Sequence, residues 1–436
     1  MITTGVPVDP ATAGPATAGR AAAQALTVAE RLLDPFAVCD VVADARVLPL
    51  ICSSLSSGLA GTALLHARLS AVDSAFADAA GRHWGEAVRL VTASGSGIYG
   101  IYGGPGAVAA SMIIGAGYLP DPGRYREAIT RGVRWLSERA LHIAELHRNH
   151  VAAGGTGAHW HTFDVINGLA GIGRVLLAAD AAGHRDAVPG LEVARDTLLD
   201  MMLICDGPRP GWWRPPPQHP AAIADPHNTD GANTGVAHGI AGPLAFLTAC
   251  ERAGLTQDRQ HEAIRAAAGW LLRWRSGDNW PPQVTADNLA GDMRVVSTRG
   301  RRDAWCYGAA GIGQVLIGAG EAIGDETISA VGHTALDSLA DRPWDTEGPT
   351  LCHGAAGVAQ SAIRDSEVTA GRAAERVMAE FDPGLRFGWR HSDKGVESDQ
   401  PGLLIGAAGL ALVLADLGEV AAPAVTTRWD AVLLLS

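Results

Sequence analysis

Two short stretches hold the residue types best suited to chemistry: Ala304-Trp305-Cys306-Tyr307-Gly308 and Leu351-Cys352-His353-Gly354. Two thiolates and an imidazole are the donor set that zinc prefers. A lone cysteine is usually a small apolar core residue. Here two stand at the same register, each two residues before a Gly-x-x-Gly unit, and one is followed directly by His. That pattern points to a metal. Cys306, Cys352 and His353 converge with no fourth donor at the shared register, which indicates a centre with one coordination position open. His238 is the conceivable fourth ligand, but its own unit has Ala237 where the others have Cys. Two thiolates already neutralise a divalent cation. A substrate thiol added as fourth ligand would be held as thiolate at neutral pH, so the expected chemistry is activation of sulfur for attack on an electrophile.

The elements that must position these residues are visible as a repeat. A Gly-x-x-Gly unit leading into an apolar run occurs seven times, with first glycines Gly58, Gly103, Gly168, Gly239, Gly308, Gly354 and Gly406. Between units lie amphipathic stretches such as residues 125–147, 260–275 and 367–381, each with charge on one face and Leu, Ile, Val or Trp on the other. The reading is an outer amphipathic helix followed by an inner buried helix, seven times over. Such an array closes into an all-α fold, an α/α toroid of seven helical hairpins, because closure removes the end repeats an open solenoid must cap. Glycines about one turn apart allow close backbone approach. If the units are equivalent, Ser57, Tyr102, Asn167, His238, Tyr307, His353 and Ile405 share one rim. Repeat two departs from the pattern, with Pro105 between its glycines.

Bulk properties narrow the function. The 436 residues have a formal net charge of -12, which argues against nucleic acid as a partner. Cys39, Cys52, Cys205 and Cys250 are scattered and are assigned to packing; no secretory signal is visible, so a reducing cytoplasm is expected. The apolar runs contain glycines and are shorter than a membrane span, so no integral membrane segment is expected. Residues 1–20, rich in Ala, Thr, Gly and Pro, are expected to be a flexible tail, and 21–436 one toroid domain. The proline-rich interval 211–235 is expected to be a loop, with Trp212 and Trp213 anchoring it.

The Trp-Cys-Tyr-Gly and Cys-His-Gly stretches, together with the seven Gly-x-x-Gly units, resemble the LanC-type lanthipeptide cyclases across nearly the whole chain. The resemblance implies an α/α toroid with one zinc. It implies thioether rings, lanthionine or methyllanthionine, formed by Michael-type addition of a peptide Cys to dehydroalanine or dehydrobutyrine. It assigns the zinc to Cys306, Cys352 and His353, acid/base work to His238, and supporting roles to Asp164, Arg302 and Tyr307. It implies a dehydrated precursor peptide as substrate and a lanthipeptide dehydratase as candidate partner. An alternative is a non-cyclising relative that binds zinc with glutathione or a partner protein. Read from the residues alone, Asp164 could instead cap the amides of Asn167 and Gly168. Arg302 could be a loop cation beside Arg299 and Arg301, and His238 a hydrogen-bonded rim residue. Toroidal glycoside hydrolases need paired carboxylates, whereas this rim offers Cys, His and Tyr. Zinc prenyltransferases also activate a thiol on a toroid, but their motifs do not match.

Overall fold

The computed structural model describes residues 15–44, 49–93, 100–215, 230–291, 302–344, 346–393 and 396–436. Seven amphipathic helices form an outer ring: α1 (Pro15–Arg31), α3 (Ser74–Ala93), α5 (Arg126–Ala152), α7 (Val188–Leu203), α9 (Gln260–Arg273), α11 (Glu326–Asp337) and α13 (Glu367–Ala379). Seven helices buried over most of their length form an inner ring: α2 (Leu59–Leu69), α4 (Gly104–Gly115), α6 (Leu169–Ala181), α8 (Ala241–Arg252), α10 (Ala309–Ile323), α12 (Ala355–Ala362) and α14 (Ala407–Leu417). Each inner helix begins within or just after a Gly-x-x-Gly unit. The architecture is the expected α/α toroid. Strand is confined, among the described residues, to three two-stranded ribbons.

The pairing differs from the expected order. Each inner helix from α2 to α12 packs on the outer helix that follows it, and α14, with none after it, packs on α1. The first helix of the chain thus closes the ring by covering the last inner helix. The approach is close, since a Cβ on Gly418 would lie 2.6 Å from the Ala22 nitrogen. Residues 15–20, expected in the tail, are already helical, and Thr17 and Arg20 both bind Glu375 on α13. Residues 1–14 lie outside the described residues.

The loops leading into the inner helices are joined by backbone hydrogen bonds that run once round the ring. Leu55 N–H donates to Tyr102 C=O (3.1 Å), Ile101 to Ile166 (3.2 Å), Val165 to Ala237 (3.1 Å) and Val236 to Cys306 (2.9 Å). Cys306 then donates to Cys352 (3.4 Å), Cys352 to Leu404 (2.9 Å) and Leu404 to Ser56 (2.9 Å). The circuit satisfies main-chain groups that burial would otherwise leave unpaired. It also explains the second glycine of each unit. A Cβ on Gly106, Gly171, Gly311 or Gly409 would lie 1.9 to 2.0 Å from the carbonyl oxygen six residues earlier, too close for any other residue. Pro105 is accommodated because it falls in the first turn of α4, where a missing N–H breaks no helical bond.

The residues after α14 cross the ring from inside. Trp429–Leu433 forms a 3-10 turn, and the stretch from Trp429 to Leu435 is buried. Arg174 Nε donates to the Ser436 main-chain oxygen (3.0 Å), and Gln360 Nε2 donates to Asp430 Oδ2 (2.9 Å). Arg174 and Gln360 occupy the same register on their inner helices, six residues after the first glycine. These polar exceptions on apolar helices therefore hold the segment in place. Its tip reaches the rim loops: Tyr102 Oη donates to Val432 C=O (2.7 Å) and Trp305 Nε1 to Leu433 C=O (2.9 Å). Trp305 adjoins Cys306, so this segment supports the candidate site from beneath.

Candidate functional site

The loop before α10 is rigidly held. Gly308 has φ +99°, a left-handed conformation that favours glycine, and a Cβ there would lie 1.6 Å from Arg302 O. Asp303, buried, binds Arg342 through both oxygens (2.5 and 2.6 Å) and accepts from Asn279 Nδ2 (2.9 Å). This fixes the backbone from Arg302 to Cys306. The Cys306–Cys352 backbone bond joins it to the loop before α12. As a result the ligand atoms of Cys306, Cys352 and His353 lie within 4.8 Å of one another. Two sulfurs on one tetrahedral zinc sit about 3.8 Å apart, given Zn–S bonds of about 2.3 Å, so this grouping needs little adjustment to hold the ion. His238 is not part of the grouping.

The electrostatics of the three donors are coupled. Burial opposes ionisation of Cys306, but hydrogen bonds from Cys352 and His353, with Arg302 nearby, hold its thiol well below the usual value. Cys352 is pushed well above it by its hydrogen bond to Cys306, and by burial. Burial disfavours the His353 imidazolium, yet the hydrogen bond to Cys306 raises its pKa. Both neighbours thus favour the Cys306 thiolate, the form in which a thiol ligates a cation.

Asp164 and His238 come together from adjacent repeats. Asp164 is fully buried, and its Oδ2 lies 2.7 Å from His238 Nδ1. Its Oδ1 accepts from the amides of Asn167 (2.7 Å) and Gly168 (2.8 Å). Asp164 thus makes both the capping contacts and the contact to the histidine, one with each oxygen. The contact engages Nδ1 and leaves Nε2 as the ring nitrogen not bound to Asp164.

Tyr307 Oη accepts from Asn233 Nδ2 (3.1 Å), so its own proton is free to be donated elsewhere. Burial pushes its pKa up against the Asn233 bond, which keeps it a neutral donor. Arg302 faces the donor cluster. It pairs with Glu347 (2.7 Å), whose other oxygen is 3.7 Å from His353 Nδ1. Arg302 is thus bound to a carboxylate beside His353; Arg299 and Arg301 lie outside the described residues. Trp212 and Trp213 are buried, and Trp212 meets Trp270 edge-on at 5.3 Å, which fits anchoring of the loop. Residues 216–229 of that loop lie outside the described residues.

Sequence reasoning passed over Asn233, Glu347, Trp160 and Arg214. Trp160 stacks on the His238 ring, and Arg214 lies over Trp160. None belongs to a Gly-x-x-Gly register. The only hint was position, since Trp160 stands four residues before Asp164 and Glu347 seven before Gly354.

Residues 52–434 match the lanthionine synthetase C-like protein family, and the chain belongs to that family. Over 130 residues it is 25% identical to the nisin biosynthesis protein NisC of Lactococcus lactis subsp. lactis; the match spans 29% of this chain and 31% of that protein. The structure of nisin cyclase superposes with a TM-score of 0.71 at 19% identity, covering 91% of this chain and 95% of the other. That likeness extends to the whole toroid. No helix among the described residues is long and apolar enough to cross a membrane.

Proposed function

We propose that this protein is a zinc-dependent lanthipeptide cyclase. It would join Cys thiols of a dehydrated precursor peptide to dehydroalanine or dehydrobutyrine, giving lanthionine or methyllanthionine rings. A lanthipeptide dehydratase would supply the substrate. The observation that carries this reading is the convergence on one rim of Cys306, Cys352 and His353, within 4.8 Å of one another, with the pair formed by buried Asp164 and half-buried His238.

Cys306, Cys352 and His353 would hold the zinc, which when bound supplies stabilisation of a substrate thiolate at neutral pH. His238 Nε2 takes the thiol proton, and Asp164 stabilises the imidazolium that forms. The sulfur bonds to the β-carbon of the alkene, and the π electrons move to the α-carbon and its carbonyl as an enolate. Tyr307 donates a hydrogen bond to that developing charge, and Arg302 adds a nearby positive field. His238 returns its proton to the α-carbon. One S–H and one C=C become one S–C and one C–H, with no change in mass and no redox partner.

The test uses that balance. The zinc-loaded protein is incubated with a dehydrated peptide containing one Cys, and free thiols are then alkylated before mass spectrometry. Ring closure leaves the mass unchanged and abolishes alkylation. Full alkylation after long incubation would reject the cyclase reading, and glutathione retained without ring closure would point to a binding protein.

A further inference from the structure

Trp160 opens the short helical turn Trp160–Phe163 that leads directly into Asp164. Its indole lies on the His238 imidazole with ring centroids 5.0 Å apart and planes 28° from parallel. The two contacts on His238 do different jobs. The Asp164 bond anchors the imidazole at Nδ1, but the ring plane can still tilt there through combined rotation of its two side-chain torsions. A flat aromatic face beside it removes the tilt.

The indole is itself braced. The Arg214 guanidinium sits 4.3 Å from its centroid. Arg214 is buried, and its backbone is paired with Gly231 in both directions (2.9 and 3.2 Å). Buried indoles usually find a partner for their N–H. Trp160 Nε1 is buried without one among the described residues. The side chain is therefore held by its faces and not by its polar edge, as expected if the ring face is what the site requires.

We propose that Trp160, braced by Arg214, is a positioning residue that sets the plane of the His238 imidazole and so the direction of Nε2 toward the reacting α-carbon. The inference rests on the acid–base reading of His238. It implies that turnover depends on the aromatic face at position 160 and not on the indole N–H. It also implies that metal binding does not depend on either.

The test compares the zinc-loaded full chain with its Trp160→Phe, Trp160→Leu and Arg214→Met variants. Ring-proton resonances of His238, assigned with His238→Asn, report the stack directly. The upfield ring-current shift should persist in Trp160→Phe and vanish in Trp160→Leu. On the dehydrated peptide, Trp160→Leu should lower kcat about 10- to 100-fold, as for loss of orientation, with KM within about twofold. Phe should restore most of the rate, and Arg214→Met should act in the same direction as Leu but less. Zinc should stay at one per chain throughout. An unchanged kcat or an unchanged His238 shift in Trp160→Leu would overturn the proposal. So would failure of Phe to rescue, or an effect confined to KM or to zinc content. If Trp160→Leu fails to fold, Arg214→Met carries the readings: kcat and the His238 shift should both fall, and no change in either would overturn the proposal. Wild-type protein that shows the shift but never turns over would defeat the cyclase reading and leave the stack in place.

Discussion

Repeats five and seven share a backbone and little else. In both, the residue two before the first glycine donates its N–H to the next loop: Cys306 to Cys352 at 3.4 Å and Leu404 to Ser56 at 2.9 Å. In both, the second glycine faces a carbonyl, Trp305 O at 2.0 Å and Leu403 O at 1.9 Å from a would-be Cβ. Yet one loop presents Cys306 and Tyr307, and the other Leu404 and Ile405. The same contrast divides the whole ring. Repeats three to six place Asp164, His238, Cys306, Tyr307, Cys352 and His353 along one arc. Repeats seven, one and two offer Leu404-Ile405, Ser56-Ser57 and Ile101-Tyr102 at the equivalent positions. Glycine and main chain build the scaffold in every repeat, so the rim side chains are free to differ. Chemistry collects on consecutive repeats because its groups must meet.

The contrast can be broken at the cysteine arc first. Cys352→Ala should abolish both stoichiometric zinc binding and ring closure; full turnover in metal-free Cys352→Ala protein would end the zinc proposal. His238→Asn should slow ring closure about 10²- to 10⁴-fold, the usual worth of a general acid–base group, while zinc measured by atomic absorption stays at one per chain. Loss of zinc there would make His238 a ligand.

The silent arc should respond differently. Leu404 is buried at the register of Cys352, so Leu404→Ala should destabilise the fold by about 2–5 kcal/mol through the cavity it leaves. Denaturant titration would read that loss, and zinc stoichiometry should be unchanged. If zinc is lost instead, the two arcs are not separable.

The closing seam gives a pH-dependent effect. His66 and His83 hold the end of α1 through the carbonyls of Leu32 (3.0 Å) and Leu33 (3.3 Å). Burial lowers His66 to about 3 and His83 to about 4. Both are neutral in the fold and gain protons on unfolding below their ordinary value of about 6.5. Stability is therefore complete above about pH 6.5 and falls as pH drops toward about 4. The slope is about 1.4 kcal/mol per pH unit for each group. Melting temperatures at pH 7 and pH 5 would show it, and His66→Gln should flatten the slope.

Much of this was readable from residue order. The seven glycine units gave the ring, and their register placed Cys306 beside Cys352 and put His238 on the same rim. The sequence left Asp164 as a choice between a cap and a partner for histidine, because spacing cannot show that a carboxylate has two oxygens in use. It also suggested that each outer helix serves the inner helix after it. The fold reverses this, and α1 travels to α14. Trp160, Arg214, Asn233 and Glu347 left no periodic trace, since each acts on a residue of another loop.

By itself the sequence determined which side chains share a rim and which helix faces are buried, because both follow from spacing within a few turns of one chain. Tertiary structure alone decided how the ring closes and which neighbours orient each functional group. Those contacts join distant segments, as with Arg68 and Asp416 at 3.0 Å, and only packing in three dimensions selects them.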